Sequence, residues 1–131
     1  MLDICSSEKL IQIRNRILLY YKYDSRPIDC VKIFSAPGRK VAFRFLQANL
    51  YYQPVDLGRS DALRIYNSIS FLPSTLLAEF RVDRPSSWTR SVSGDILALH
   101  MRATAADGTY GFIAEVSALP GTIFNYYLNI N

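Results

Sequence analysis

The chain has 131 residues, half of them hydrophobic and 13% aromatic, and a formal net charge of +4. That length fits one domain with a substantial core, and the hydrophobic fraction excludes a disordered chain, which needs low hydrophobicity and high net charge. No run of about 18 apolar residues occurs, so no membrane-spanning helix is read, and two cysteines with a single histidine do not supply a tetrahedral metal set.

The basic excess is moderate and its arginines are scattered. It admits nucleic acid, sulfated glycans or acidic protein surfaces as partners, or is a solvated basic surface; of these, no nucleic-acid partner is read. The start, M-L-D-I-C-S-S-E-K, lacks the basic and apolar regions of a signal peptide. Two readings follow: a cytosolic protein, or a fragment or mature form of something longer.

Apolar residues recur at even spacing from Ile11 to Tyr23, with Asn15 as an interruption. β-Branched and aromatic residues favour a strand there, although a helix would gather Ile13, Ile17 and Tyr20. Pro27 closes the segment, because it cannot continue a ladder. Cys30 to Phe34 reads as a short strand. Ser35-Ala36-Pro37-Gly38 reads as a turn, with Pro suited to the second and Gly to the third position of a type II turn. From Lys40 to Leu46, Val41, Phe43 and Phe45 alternate with Ala42 and Arg44. Gln47 to Ser60 reads as a long polar-aromatic loop. Asp61 to Tyr66 is the next strand, with Leu63 and Ile65 inward and Arg64 outward; Leu76 to Phe80 follows. Arg81 to Arg90 is a polar connection holding Trp88.

Ser91 to Val116 carries the clearest pattern. Leu97, Leu99 and Met101 alternate with Ala98, His100 and Arg102, and Phe112, Ala114 and Val116 alternate with Ile113 and Glu115. Period-two alternation marks strands with one buried face. Ala106-Asp107-Gly108 between them supplies turn chemistry, so the stretch is predicted to form a β-hairpin. About eight short strands separated by turn signals predict an all-β protein, an antiparallel β-sandwich or jelly roll. The sandwich is expected to span residues 1–120. Residues 121–131 form an apolar tail, or a connection to a following segment.

Few residues call for chemistry. His100 lies mid-strand on the outward face, and nothing marks a nucleophile beside it, so no enzyme is read. Arg44, Arg64, His100 and Arg102 are all outward. If their strands share one sheet, they make a basic face able to hold sulfate or carboxylate groups; otherwise they cover a solvated sheet. Tyr51, Tyr52 and Trp88 fall in predicted loops, where aromatics serve as interface anchors or fold back onto the core.

The order of the pieces resembles the CUB domain. Cys30 leads to the Ala36-Pro37-Gly38 turn, then S-D-A-L-R-I-Y-N, then S-V-S-G-D-I-L-A-L-H-M, and finally G-F-I-A-E-V. The resemblance spans Cys5 to Leu119 and implies an extracellular or cell-surface β-sandwich module. It also implies a non-catalytic role in protein–protein interaction within a larger receptor, adhesion or secreted protein, with a membrane only through the parent chain. Cys5 and Cys30 match the family's first disulfide; without oxidation they would be two buried thiols. The second pair has no counterpart, and Lys32 stands where the family tends to carry Trp. Many members hold calcium through a Glu and two Asp. Only Asp61 matches one of these, with Tyr51 or Tyr52 at the Glu position and Ala103 or Thr104 at the last Asp. Calcium asks for six to eight oxygen ligands, so Asp61 is a weak candidate and no cofactor is expected. Two alternatives to protein binding are a sulfated polysaccharide on the basic face, and a structural subunit of a permanent assembly.

Overall fold

A computed structural model describes residues 1–24, 26–51, 55, 60–80, 91–104 and 111–120. The strands are β1 (Leu2–Asp3), β2 (Leu10–Gln12), β3 (Arg16–Lys22), β4 (Ile28–Ser35), β5 (Val41–Asn49), β6 (Ala62–Tyr66), β7 (Leu76–Phe80), β8 (Ser91–Val92), β9 (Ile96–Ala103) and β10 (Gly111–Ala118). They form two five-stranded sheets, ordered β1-β3-β10-β5-β8 and β2-β4-β9-β6-β7; we call them sheets A and B. All neighbours are antiparallel except β1 with β3 and β2 with β4, which run parallel. The architecture is the predicted β-sandwich.

Alternation decides which face is buried. Leu97, Leu99 and Met101 of sheet B lie inward, as do Phe112, Ala114 and Val116 of sheet A. The two inner faces meet in one apolar core. Phe45 is its aromatic hub. Its ring stands edge-on to Phe43 at 5.0 Å and to Phe112 at 5.4 Å within sheet A, and to Phe80 of sheet B at 5.0 Å. Edge-to-face pairs contribute about 0.5–1.5 kcal/mol each beyond the area they bury, so Phe45 helps weld the sheets together.

Turn chemistry fixes the β4–β5 corner. Gly38 takes φ 74° and the Arg39 amide donates to the Ala36 carbonyl at 2.9 Å, which is the type II turn read from Pro37-Gly38. The Arg39 guanidinium then donates to the carbonyls of Arg14, Ala118 and Leu119 at 2.6, 2.9 and 2.8 Å. One side chain thereby joins this corner to the β2–β3 connection and to the end of β10.

Three expectations are corrected. The predicted Ser91–Val116 hairpin does not form: β9 pairs with β4 and β6 in sheet B, whereas β10 pairs with β3 and β5 in sheet A. Alternation reports a buried face, and two strands facing one core from opposite sides carry the same pattern. The Ala106-Asp107-Gly108 turn lies outside the described residues. The Ile11–Tyr23 strand is two strands: β2 belongs to sheet B and β3 to sheet A, and the chain changes sheet around Asn15. The loop predicted from Gln47 begins later, because β5 runs on to Asn49. It does so through an irregularity in its pairing with β10 that leaves Leu46 as an extra residue.

Candidate functional site

The basic residues do not share a face. Arg44 lies on β5 in sheet A, while Arg64, His100 and Arg102 lie on β6 and β9 in sheet B. The sequence could not resolve this, since outward positions look alike on either sheet.

On sheet A, Arg44 and Arg16 flank Glu115, whose carboxylate receives Arg16 Nη1 at 2.9 Å and Arg44 Nε at 3.1 Å. Arg44 and Glu115 are direct cross-strand partners, the geometry in which opposite charges attract. Burial would raise the Glu115 carboxyl, but the two guanidinium hydrogen bonds outweigh it and hold it below its usual range.

On sheet B, the register aligns Val31, His100, Arg64 and Glu79 in one row across β4, β9, β6 and β7. Arg64 Nε donates to Glu79 at 2.5 Å, and His100 Nε2 lies against the Asp29 carboxylate. Three of the four predicted cations thus already hold a carboxylate. A second row runs through Ile33, Ala98, Tyr66 and Leu76. Ala98 and Tyr66 are buried although they face outward. Phe71, from the β6–β7 connection, stacks edge-on to Tyr66 at 5.1 Å and lies 6.4 Å from the His100 ring. To do so it adopts φ 54°, a left-handed backbone that costs a residue with a Cβ of order 1 kcal/mol. Around it, Ile69, Leu72, Leu76 and Leu77 are all exposed.

Sheet B ends at β7, whose outer edge has no strand partner among the described residues. The other sheet edges are β1, β8 and β2, of two, two and three residues. β7 has five. Short edges are one way proteins block unwanted strand pairing; β7 does not use it. Its Leu-Leu-Ala-Glu-Phe sequence also has no Lys or Pro to blunt it.

At one end of the sandwich, Asp61 is buried and exchanges backbone-level bonds with Tyr51. The Tyr51 amide donates to Asp61 Oδ2 at 2.9 Å, and the Asp61 amide donates to the Tyr51 carbonyl at 2.8 Å. Burial pushes the Asp61 carboxyl up to about 6, against the lowering effect of the Tyr51 amide. Tyr21 has a buried hydroxyl with no hydrogen-bond partner among the described residues; burial first, then the nearby Asp61 carboxylate, push its ionisation upward. Among the described residues, no three Asp, Glu, His or Cys come together as a metal-binding group. Asp61 brings one carboxylate, so the described residues do not fit a calcium ion. Tyr52, Trp88 and residues 121–131 lie outside the described residues.

Sequence reading missed Lys32. It points inward from β4 and is fully buried. Its ammonium donates to the Ser6 carbonyl at 3.0 Å, to Ser6 Oγ at 2.6 Å and to the Glu8 carbonyl. Burial lowers its ionisation, while Asp3 and Glu8 work against that. Its inward register comes from pairing with Leu99, which local sequence does not show. Two residues away, Cys30 is bonded to Cys5 with Cα atoms 5.2 Å apart. The disulfide and Lys32 together fasten the β1–β2 connection onto β4.

A two-sheet jelly roll with these turns and this disulfide has the CUB fold. Solved CUB1-EGF-CUB2 segments of MASP-1 superpose on it: the rat protein with TM-score 0.61 and 14% identity over 84% of this chain, and the human MASP-1/3 segment with TM-score 0.63 and 17% identity over 81%. The matched part is 42% of each of those chains. At the sequence level the chain is similar to Protein bark beetle of Drosophila melanogaster, with 35% identity over 97% of this chain. The chain spans 4% of that protein's length. No family model matches.

Proposed function

We propose that the chain is a non-catalytic protein-interaction module of a larger extracellular or cell-surface protein, and that it engages its partner through the β7 side of sheet B. The exposed Ile69, Leu72, Leu76 and Leu77 beside the open β7 edge carry this reading. Exposed apolar residues clustered at a sheet edge supply the two things strand addition uses: unpaired main-chain groups and pockets for alternate side chains. The disulfide supports an oxidising compartment. A non-catalytic role is supported by both cysteines being joined, which leaves no free thiol nucleophile. The pairing of Arg64 and His100 with carboxylates speaks for protein over sulfated polysaccharide on this face.

The test is a binding screen of the multimerised, folded chain against purified extracellular domains. A partner whose affinity drops about tenfold or more with Leu77→Lys, at unchanged folding, supports the reading; a fully desolvated apolar anchor is worth at least that much. No partner, or partners indifferent to Leu77→Lys, Leu72→Ser and Ile69→Ser, would sink it.

A further inference from the structure

The register of sheet A builds a cup on its outer face. Gly111 and Ile113 of β10 lie between Lys22 and Tyr20 of β3 on one side, and between Asn49 and Gln47 of β5 on the other. With about 4.8 Å between strands, these six positions form a grid two rows deep and three strands wide. The centre of one row carries no side chain. A Cβ on Gly111 would stand 2.2 Å from the Tyr21 carbonyl oxygen, so only glycine fits. Lys22 and Asn49 therefore face each other across bare backbone, about 10 Å apart, and Ile113 floors the row beside them. Met1 adds a further wall, and the cavity is about 460 Å³, within the range of small-ligand sites.

Its chemistry is specific. Among the described residues, Lys22 is the one charged side chain lining it and holds no ion pair. Tyr20 contributes a flat ring with a hydroxyl. The Gln47 carboxamide both donates and accepts. An anion alone would use Lys22 and leave the carboxamide half-satisfied, since a carboxylate only accepts. Sugar hydroxyls donate and accept, as the carboxamide does, and a pyranose ring presents an apolar face to Tyr20.

We propose that this cup binds a carboxylate-bearing pyranose, a uronic or sialic acid residue at the end of a glycan. The carboxylate meets Lys22, the ring lies against Tyr20, and Gln47 reads ring hydroxyls. The cup is on sheet A and the β7 edge is on sheet B, so this site stands or falls independently of the protein-docking reading.

Amide NMR titration of the folded chain with methyl glucuronide tests it. A single sugar in an open cup is expected to bind with a Kd of about 1 mM, with saturable shifts confined to residues 20–22, 47–49 and 111–113. Lys22→Gln, or replacing the ligand with uncharged methyl glucoside, is expected to weaken binding about tenfold, the value of one charge-assisted hydrogen bond. Tyr20→Ala is expected to weaken it by a similar factor through loss of the stacked ring. Absence of saturable shifts, shifts centred elsewhere, or binding unchanged by Lys22→Gln would overturn the proposal. So would acetate or a blocked glutamyl peptide binding as tightly as the glucuronide, which would make the cup an anion or peptide site.

Discussion

The two edges of sheet B are built on opposite principles. At the β2–β4 edge, the chain from Cys5 to Glu8 is held by a disulfide and by three hydrogen bonds from one buried ammonium. At the β7 edge, the outer strand presents leucines to solvent, and the connection before it is held by the Phe71 ring in a left-handed backbone and by hydrogen bonds such as Asn67 N–H to the Thr75 carbonyl, with no covalent or ionic tie among the described residues. One edge is closed by covalent and ionic means; the other keeps its main-chain groups and apolar side chains available. The same sheet thus spends its fastening where no partner is expected and leaves the opposite side open.

The comparison breaks most directly at the closed edge. Reducing the protein, or replacing Cys5 and Cys30 together with Ser, is expected to lower stability by roughly 3 kcal/mol in the chain-entropy account, read by denaturant unfolding. An unchanged midpoint would show that the strap is held by Lys32 alone. Lys32→Met is expected to cost about 2–3 kcal/mol, because Met fills the volume but leaves the Ser6 and Glu8 acceptors without their donor. Cooperativity between the two losses, measured as a double-mutant cycle, would show that they act as one fastening.

Two buried carboxylates sharpen the picture through pH, with opposite signs. Asp61 is raised above its ordinary 3.8 to about 6. Its contribution is therefore full below 3.8 and is lost as pH rises through 6. Asp61→Asn is expected to flatten the decline in stability across that window. Glu115 is held below its ordinary 4.5, so its contribution is present above 4.5 and lost as pH falls; Glu115→Gln is expected to remove that acid-side loss, with a cost of about 1–2 kcal/mol at neutral pH. Stability profiles of the two variants that tilt the same way would contradict these assignments.

The smallest effect belongs to the open edge. Phe71→Gly is expected to be more stable than Phe71→Ala by about 0.5–1 kcal/mol, because glycine relieves the left-handed backbone. At most other positions glycine is the worse of the two, so the ordering itself is diagnostic. Equal stabilities would mean the connection relaxes once the ring is gone.

Much of this fold is written in period-two patterns. The inward sets of β9 and β10 and the Pro37-Gly38 turn follow from residue type and spacing, and the cysteine pairing is what the CUB resemblance implies. What the pattern lacks is a label for the sheet. Two strands facing one core from opposite sides read alike, so β9 and β10 look like a hairpin, and Arg44 looks like a neighbour of Arg64. Long-range register, not local chemistry, separates them. Lys32 was obscured differently: a lysine in an apolar strand reads as outward until the neighbouring carbonyls that receive it are in place. The cup at Gly111 needed both neighbours of β10, contributed by segments some 60 and 90 residues earlier in the chain, and no window of sequence contains them together.

The Cys5–Cys30 bond also sets how the domain bears load. A pull applied through residue 1 reaches Cys5 and passes across the bond to Cys30, bypassing the segment between them. That segment, a separation of 25 residues, would otherwise yield about 80 Å of slack at about 3.4 Å per residue. Under tension the oxidised domain therefore keeps residues 5–30 as a closed loop; under reducing conditions the same pull can draw out β2 and β3, and with them the core residues Ile11, Leu19 and Tyr21.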